Sequence, residues 1–197
     1  MKYLNPMDFY GEIFKDILKK EDYLKPGRLL GLDVSDKYVS LAVSDWKNKT
    51  AVPLRALDRL EINMDLMADM IQSLISEHNL VGFVVGIKHA KPMDAQTRNF
   101  IDHLCKTGKV QGLEYTIWEF GITSKPLVIQ IVRSFRCVTE CRICIQTASE
   151  IYIREFASAL ASAALGHVTN NYEKCYAVCA LQGYLDCTNK MVKEDWD

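Results

Sequence analysis

The apolar positions of this chain fall into runs of strand length separated by stretches of helical period. Leu29, Leu30, Leu32 and Val34 form an apolar run, bounded by Pro26-Gly27 before and Ser35-Asp36-Lys37 after. Val39, Leu41 and Val43 then recur at every second position. A continuous run and a period-two run joined by a short polar turn predict a β-hairpin over residues 28–45. Residues 50–57 (TAVPLRAL) read as a third strand, and Pro53 inside it, lacking an N–H, predicts an edge position. GFVVG at 82–86 is short and wholly apolar, as a central strand covered on both faces would be, and is expected parallel to the first strand. A last strand is read at 115–118.

Between these runs the period lengthens. Asn5-Pro6 is a helix start, followed by Tyr10, Ile13, Phe14, Ile17 and Leu18 at helical spacing. Residues 60–78 carry a stripe of Ile62, Leu66, Met70, Leu74 and Ile75, with Asn79 as the stop, and residues 93–106 carry Ala95, Phe100, Ile101 and Leu104. Alanines crowd a further helical stretch at 149–165. The order β-β-β-α-β-α-β followed by helices predicts a mixed α/β sheet with an antiparallel hairpin at one side.

Composition changes this picture little. At 197 residues, 49% hydrophobic and 25% charged, the chain suits one soluble globular domain. A net charge of −1 gives no global attraction to nucleic acid, so any such binding must come from a local basic face. The start of the chain does not read as a signal peptide, and no apolar run reaches the roughly 18 residues of a membrane helix. Seven cysteines, an odd number without a secretory signal, indicate a reduced compartment. A cytoplasmic protein is expected, with an organelle left open.

One residue breaks the hydrophobic pattern. Asp33 is an acid near the end of an otherwise apolar strand, where a buried carboxylate would need hydrogen bonds, a cation or a metal. The alternative is that it starts the turn and faces water. The residues around it, Gly31-Leu32-Asp33-Val34, Lys37 and Leu41-Ala42-Val43-Ser44-Asp45, resemble the first hairpin of the YqgF family, a pre-ribosomal-RNA nuclease branch of the ribonuclease H-like fold. The resemblance continues through Gly86-Ile87, Arg98 and Phe100, then Trp118-Glu119 with Ile122-Thr123-Ser124, and finally Glu173, Ala177, Val178 and 181–185 (LQGYL). The chain departs from the family at Ser35, Ser40 and Tyr38, and again at Phe120 and Gly121, which replace the usual glutamate and arginine.

The resemblance implies a ribonuclease H-like, mixed five-stranded sheet flanked by helices over residues 28–197. Residues 1–27 would form a helical extension, and 126–172 an atypical segment. It also implies that Asp33, Glu119 and Glu173 converge as catalytic metal ligands. Carboxylates suit Mg²⁺ or Mn²⁺, hard ions that supply a nucleophilic water and stabilise the leaving oxygen in phosphodiester hydrolysis. Lys37, Lys88, Lys91 and Arg98 are the candidate nucleic-acid contacts, with His89 beside them. The implied partner is ribosomal RNA precursor or another structured nucleic acid, with no membrane and an unspecified oligomeric state. A catalytically degenerate relative that binds RNA or protein is the rival reading.

Two further patterns stand in the sequence. Cys137, Cys141 and Cys144 have the spacing of an iron–sulfur motif, but that motif belongs to a much larger barrel and no fourth ligand stands at a standard zinc spacing. These thiols are expected to hold no metal, and Cys175 and Cys179, four apart on one helix face, are expected to be small buried hydrophobes. An acid-bearing opening hairpin also fits the actin and sugar-kinase fold, which needs a second lobe this length does not provide.

Overall fold

The computed structural model describes residues 1–19, 27–88, 92–120 and 176–194. In chain order the elements are β1 (Lys2–Tyr3), α1 (Pro6–Lys19), β2 (Arg28–Val34), β3 (Tyr38–Ser44) and β4 (Ala51–Asp58). They continue with α2 (Met64–His78), β5 (Leu80–Lys88), α3 (Ala95–Lys106), β6 (Glu114–Phe120) and α4 (Tyr176–Glu194). The strands form one mixed sheet in the order β1-β6-β5-β2-β3-β4. β2 pairs antiparallel with β3 and parallel with β5, as the apolar runs predict. Five long strands match the expected count, and β1 adds a two-residue sixth beside β6.

Both faces of the sheet are covered, which explains why β2 and β5 are buried along almost their whole length. On one face Leu29, Ala42, Val84 and Phe120 pack with Phe9 and Ile13 of α1 and with Ala177, Ala180, Leu181 and Tyr184 of α4. On the other, Leu30, Leu32, Val39, Leu41, Phe83 and Val85 pack with Met67 and Ile71 of α2 and with Phe100, Ile101 and Leu104 of α3. The edge position of β4 holds: Pro53 faces Ala42, and the register shifts between Leu41 and Ala42.

Two helical stripes differ from the sequence expectation. In α2 the buried residues include Met67, Ala68 and Ile71, while Leu66 is 49% exposed. The helix is apolar over more than one side, and the sheet selects the side that carries the small Ala68. In α1, Phe9 is fully buried, edge-on to Tyr184 with ring centroids 5.8 Å apart. The caps at Asn5 and Asn79 follow the sequence: Asn5 Oδ1 accepts from Met7 N and Asp8 N, and Asn79 ends α2 in the left-handed conformation, while Asn63, accepting from Leu66 N, starts α2 later than the expected residue 60.

α4 lies against the sheet at very short range because glycine faces it there. A Cβ on Gly31 would stand 2.7 Å from the Ala177 carbonyl oxygen, and one on Gly86 would stand 2.7 Å from Ala180 Cβ. Gln182 then ties the helix to the β3–β4 hairpin, accepting from Ala51 N at 2.8 Å and donating to the Lys49 carbonyl at 3.0 Å.

Candidate active site

From β2 the chain runs outward through β3 and β4, then returns to place β5 on the other side of β2. Strand order therefore reverses between β2 and β5. In open α/β sheets the crevice outside the carboxyl ends of the strands at such a point is the favoured ligand site. A pocket of about 250 Å³ lies there, lined by Asp33, Ser35 and Asp36 from β2 and its turn, Gly86 and Lys88 from β5, and Asp94 before α3. It is small and polar, with room for ions and a phosphate group.

Asp33 is 4% exposed, so the buried reading of this acid is the one observed. Alternation along β2 sets it on the α4 side with Leu29 and Gly31, opposite Ser40 of β3. Its nearness to α4 is felt electrostatically: burial first, and the Asp33 charge second, push the Cys179 thiol up to about 12. Cys179 is therefore an inert buried thiol, as the sequence suggested.

The pocket's outer wall is a set of polar contacts with no local signature in the sequence. Arg59, just past β4, donates from Nη1 to the Ser35 carbonyl at 2.6 Å and to Gln96 Oε1, and Gln96 Nε2 donates to Asp36 Oδ1. The Arg59 amide also donates to the Lys37 carbonyl at 2.9 Å. The β2–β3 turn, the end of β4 and the first turn of α3 are thereby fastened together. Asp94 caps α3, accepting from Thr97 N at 2.6 Å.

The expected site residues are distributed unevenly around this pocket. Lys88 lines it, its Nζ 4.8 Å from the centre of the Tyr176 ring. Lys37 is exposed on the turn next to Asp36, its Nζ 5.1 Å from the Tyr38 ring. Arg98 is exposed on α3, outside the pocket lining. Glu119 is exposed at the end of β6, paired in register with Ile87. Trp118 and Phe120 beside it both face α4, packing with Gly183 and with Gly86, so strand alternation turns Glu119 to the opposite side of the sheet from Asp33. Lys91, His89, Glu173 and the cysteines at 137, 141, 144 and 175 lie outside the described residues, as does the 126–172 segment.

The oxygen donors lining the pocket fit a hard divalent ion in kind. Among the described residues, however, no three His, Cys, Asp or Glu side chains are grouped closely enough to hold one. Asp33 is the donor with burial and position on its side.

A mixed sheet in this order, helices on both faces and a buried aspartate at the reversal point define a ribonuclease H-like protein. The chain belongs to the RuvX family, the same one its opening hairpin resembles: the family model, described as Holliday junction resolvase, matches residues 27–126. Curated relatives provisionally named as pre-16S rRNA nucleases align over parts of the chain. The Rhodobacter capsulatus protein is 34% identical over 98 residues, covering 47% of this chain and 58% of the relative. The Ligilactobacillus salivarius protein is 39% identical over 61 residues, covering 31% and 42%. The chain thus spans about half the length of the curated relatives it matches. Among solved structures, T. thermophilus RuvC in complex with a Holliday junction substrate aligns at TM-score 0.40 and 8% identity, over 82% of this chain and 95% of that one. The fowlpox virus Holliday junction resolvase aligns at TM-score 0.37 and 11% identity, over 84% and 99%. Likeness of that degree speaks to neither substrate nor site.

Proposed function

We propose that this chain is a metal-dependent endonuclease that cuts structured RNA, with ribosomal RNA precursor as its substrate. The observation that carries the proposal is Asp33, a buried carboxylate at the reversal point of a RuvX-family sheet, opening onto a polar pocket of phosphate size. In hydrolysis a water oxygen bonds to phosphorus, the bond to the leaving ribose oxygen breaks, and that oxygen takes up a proton. A bound Mg²⁺ or Mn²⁺ would acidify the water and offset the charge on the leaving oxygen. Asp33 would hold the ion, and its burial fixes the carboxylate rotamer. Lys88 and Lys37 would hold flanking phosphates, with Lys91 and Arg98 extending the contact. Glu173 would be the second ligand, and Glu119, reaching from the other side of the sheet, takes a secondary share. Residues 28–197 are assigned to this one domain, with 1–27 as its extension and 126–172 as its atypical part.

A second reading has its own observation. On β6 the side that faces α4, as Asp33 does, ends in the buried Phe120, while the acid beside it faces away. A protein that binds RNA in the pocket without cutting would show this arrangement. Cleavage of structured RNA with Mg²⁺ or Mn²⁺, run beside filter binding, separates the two. The nuclease reading expects Asp33→Asn to lose cleavage and keep binding. Wild-type protein that binds but never cuts with either metal would leave the binder.

A further inference from the structure

The end of the sheet remote from Asp33 carries a feature that the proposed site does not use. In the β3–β4 turn, Trp46 is 60% exposed, and Lys47 Nζ lies 4.5 Å from the centre of its ring. Lys49, on the same turn, is also exposed, and so is Lys190 on α4. Asn189, beside Lys190, donates to the Asn48 carbonyl at 3.0 Å, which brings that lysine's backbone to the turn.

The turn is built rigidly. Asp45 N donates to the Thr50 carbonyl at 2.7 Å, Asn48 N donates to the Asp45 carbonyl at 3.0 Å, and Lys49 N donates to Asp45 Oδ1 at 2.7 Å. Asn48 takes the left-handed conformation at φ 51°. Its Oδ1 accepts from Ser44 Oγ at 2.5 Å and its Nδ2 donates to the Gly27 carbonyl at 2.9 Å. Asn48 is therefore held through its side chain by Ser44 and Gly27 and through its backbone by Asp45 and by Asn189 of α4, and the indole two residues before it is exposed to solvent beside this bonded turn.

We infer that the Trp46 turn is a second nucleic-acid contact, where an unpaired base of an RNA stacks on the indole while Lys47, Lys49 and Lys190 meet the adjoining phosphates. An exposed indole with lysines around it is the pairing that stacks bases without reading sequence. The surroundings favour this occupant over an apolar one. Trp46 stands among charged and polar residues of its turn, whereas the other exposed large hydrophobics among the described residues lie elsewhere in the chain: Tyr3 in β1, Met7 in α1, Leu66 in α2 and Leu60 in the loop after β4. With a net charge of −1, the molecule needs such a local basic surface to hold RNA at all. The length of β3 separates the turn from the Asp33 end by roughly 20 Å. An RNA engaged at both ends would lie across the sheet edge with its scissile phosphate set by the distant stack. The inference rests on the RNA reading of the Asp33 pocket and adds a determinant of which RNA is chosen: one with an unpaired base about that far from the cut.

The test is a fluorescence-anisotropy titration of the full chain with a labelled single-stranded RNA and with a fully paired duplex of the same sequence. Trp46→Ala should weaken single-strand binding roughly tenfold and duplex binding little, while Trp46→Phe keeps most of the affinity. Lys49→Ala should lower the salt dependence by about one phosphate contact. The thermal transition should not move for any of these exposed positions. Single-strand affinity unchanged in Trp46→Ala would overturn the inference and leave the pocket reading untouched. Equal loss with duplex and single strand would overturn the stacking and with it the choice of occupant. Trp46-dependent binding without any cleavage would keep the inference and sink the nuclease. A wild-type chain that binds neither RNA would sink both.

Discussion

The guanidinium of Arg59 and the backbone carbonyl of Ser35 are joined at 2.6 Å across 24 residues of sequence, and that bond closes the wall of the Asp33 pocket. Arg59→Ala removes it together with the Gln96 contact, and Gln96 in turn holds Asp36. The expected loss is about 1–2 kcal/mol of stability, since a partly exposed charge-assisted bond contributes in that range. The turn carrying Lys37 also loosens, so RNA affinity should fall several-fold while Trp46-dependent stacking persists. Urea denaturation and RNA titration of Arg59→Ala and Gln96→Leu check this. Full affinity in both variants would mean the wall is scaffold alone.

Asp33 and Glu119 should not be equivalent. Asp33→Asn is expected to cut cleavage on the order of 100-fold or more, because even outer partners of metal ligands are worth 10–100-fold. Glu119→Gln, exposed and facing the other side, should cost roughly tenfold or less. Equal losses in a single-turnover assay would show that the two acids share one ion beyond the strand ends.

Gly31→Ala should lower stability by about 1–3 kcal/mol, the usual cost of overpacking. The added methyl meets both the Ala177 carbonyl oxygen and Leu181 Cβ at 2.7 Å, and backbone cannot rotate away. Gly112→Ala lacks the crowding but sits at φ 81°, so it should be milder, costing left-handed strain alone. Thermal unfolding of the two variants ranks them.

His78 supplies a pH dependence. It is buried at the end of α2, and burial first, then the Arg28 guanidinium, push its pKa below 6.5, against a smaller opposite pull from Glu77. Arg28 Nη1 lies 3.4 Å from Nδ1, which suits a neutral ring accepting there. The unfolded chain binds this proton more readily than the folded one. The stabilisation is complete above about pH 6.5 and is lost as pH falls from there toward the folded value. Urea midpoints should therefore drop between about pH 7 and pH 5, and His78→Gln should flatten that slope. An unchanged slope would place the acid sensitivity elsewhere.

Much of the fold is legible because its strands are read by period and by apolar runs. The uninterrupted GFVVG stretch and Pro53 suffice to put β5 at the centre and β4 at an edge. β1 is missed because two residues show no period, and only the neighbouring β6 makes them a strand. Asp33 is legible as an acid where the pattern calls for an apolar residue. The Arg59–Gln96–Asp36 contacts are not, since their members lie 23 to 60 residues apart and each alone resembles an ordinary surface residue. Whether two acids face the same side depends on alternation counted from the register, which shows Phe120 on the Asp33 side and Glu119 on the other.

The close seat of α4 on Gly31 and Gly86 also bears on how the protein is made. Its contacts with the hairpin span more than 130 residues, from Gln182 back to Lys49 and Ala51. Strands β2 to β6 leave the ribosome well before that helix, with Leu29, Ala42 and Val84 still lacking the α4 part of their cover. The nascent chain would carry an uncovered apolar surface for several seconds at ordinary elongation rates. Until Cys179 and its neighbours on α4 arrive, Asp33 lacks the cover of that helix. Any hydrolytic centre anchored there would be complete only once α4 has been made and has docked on the sheet.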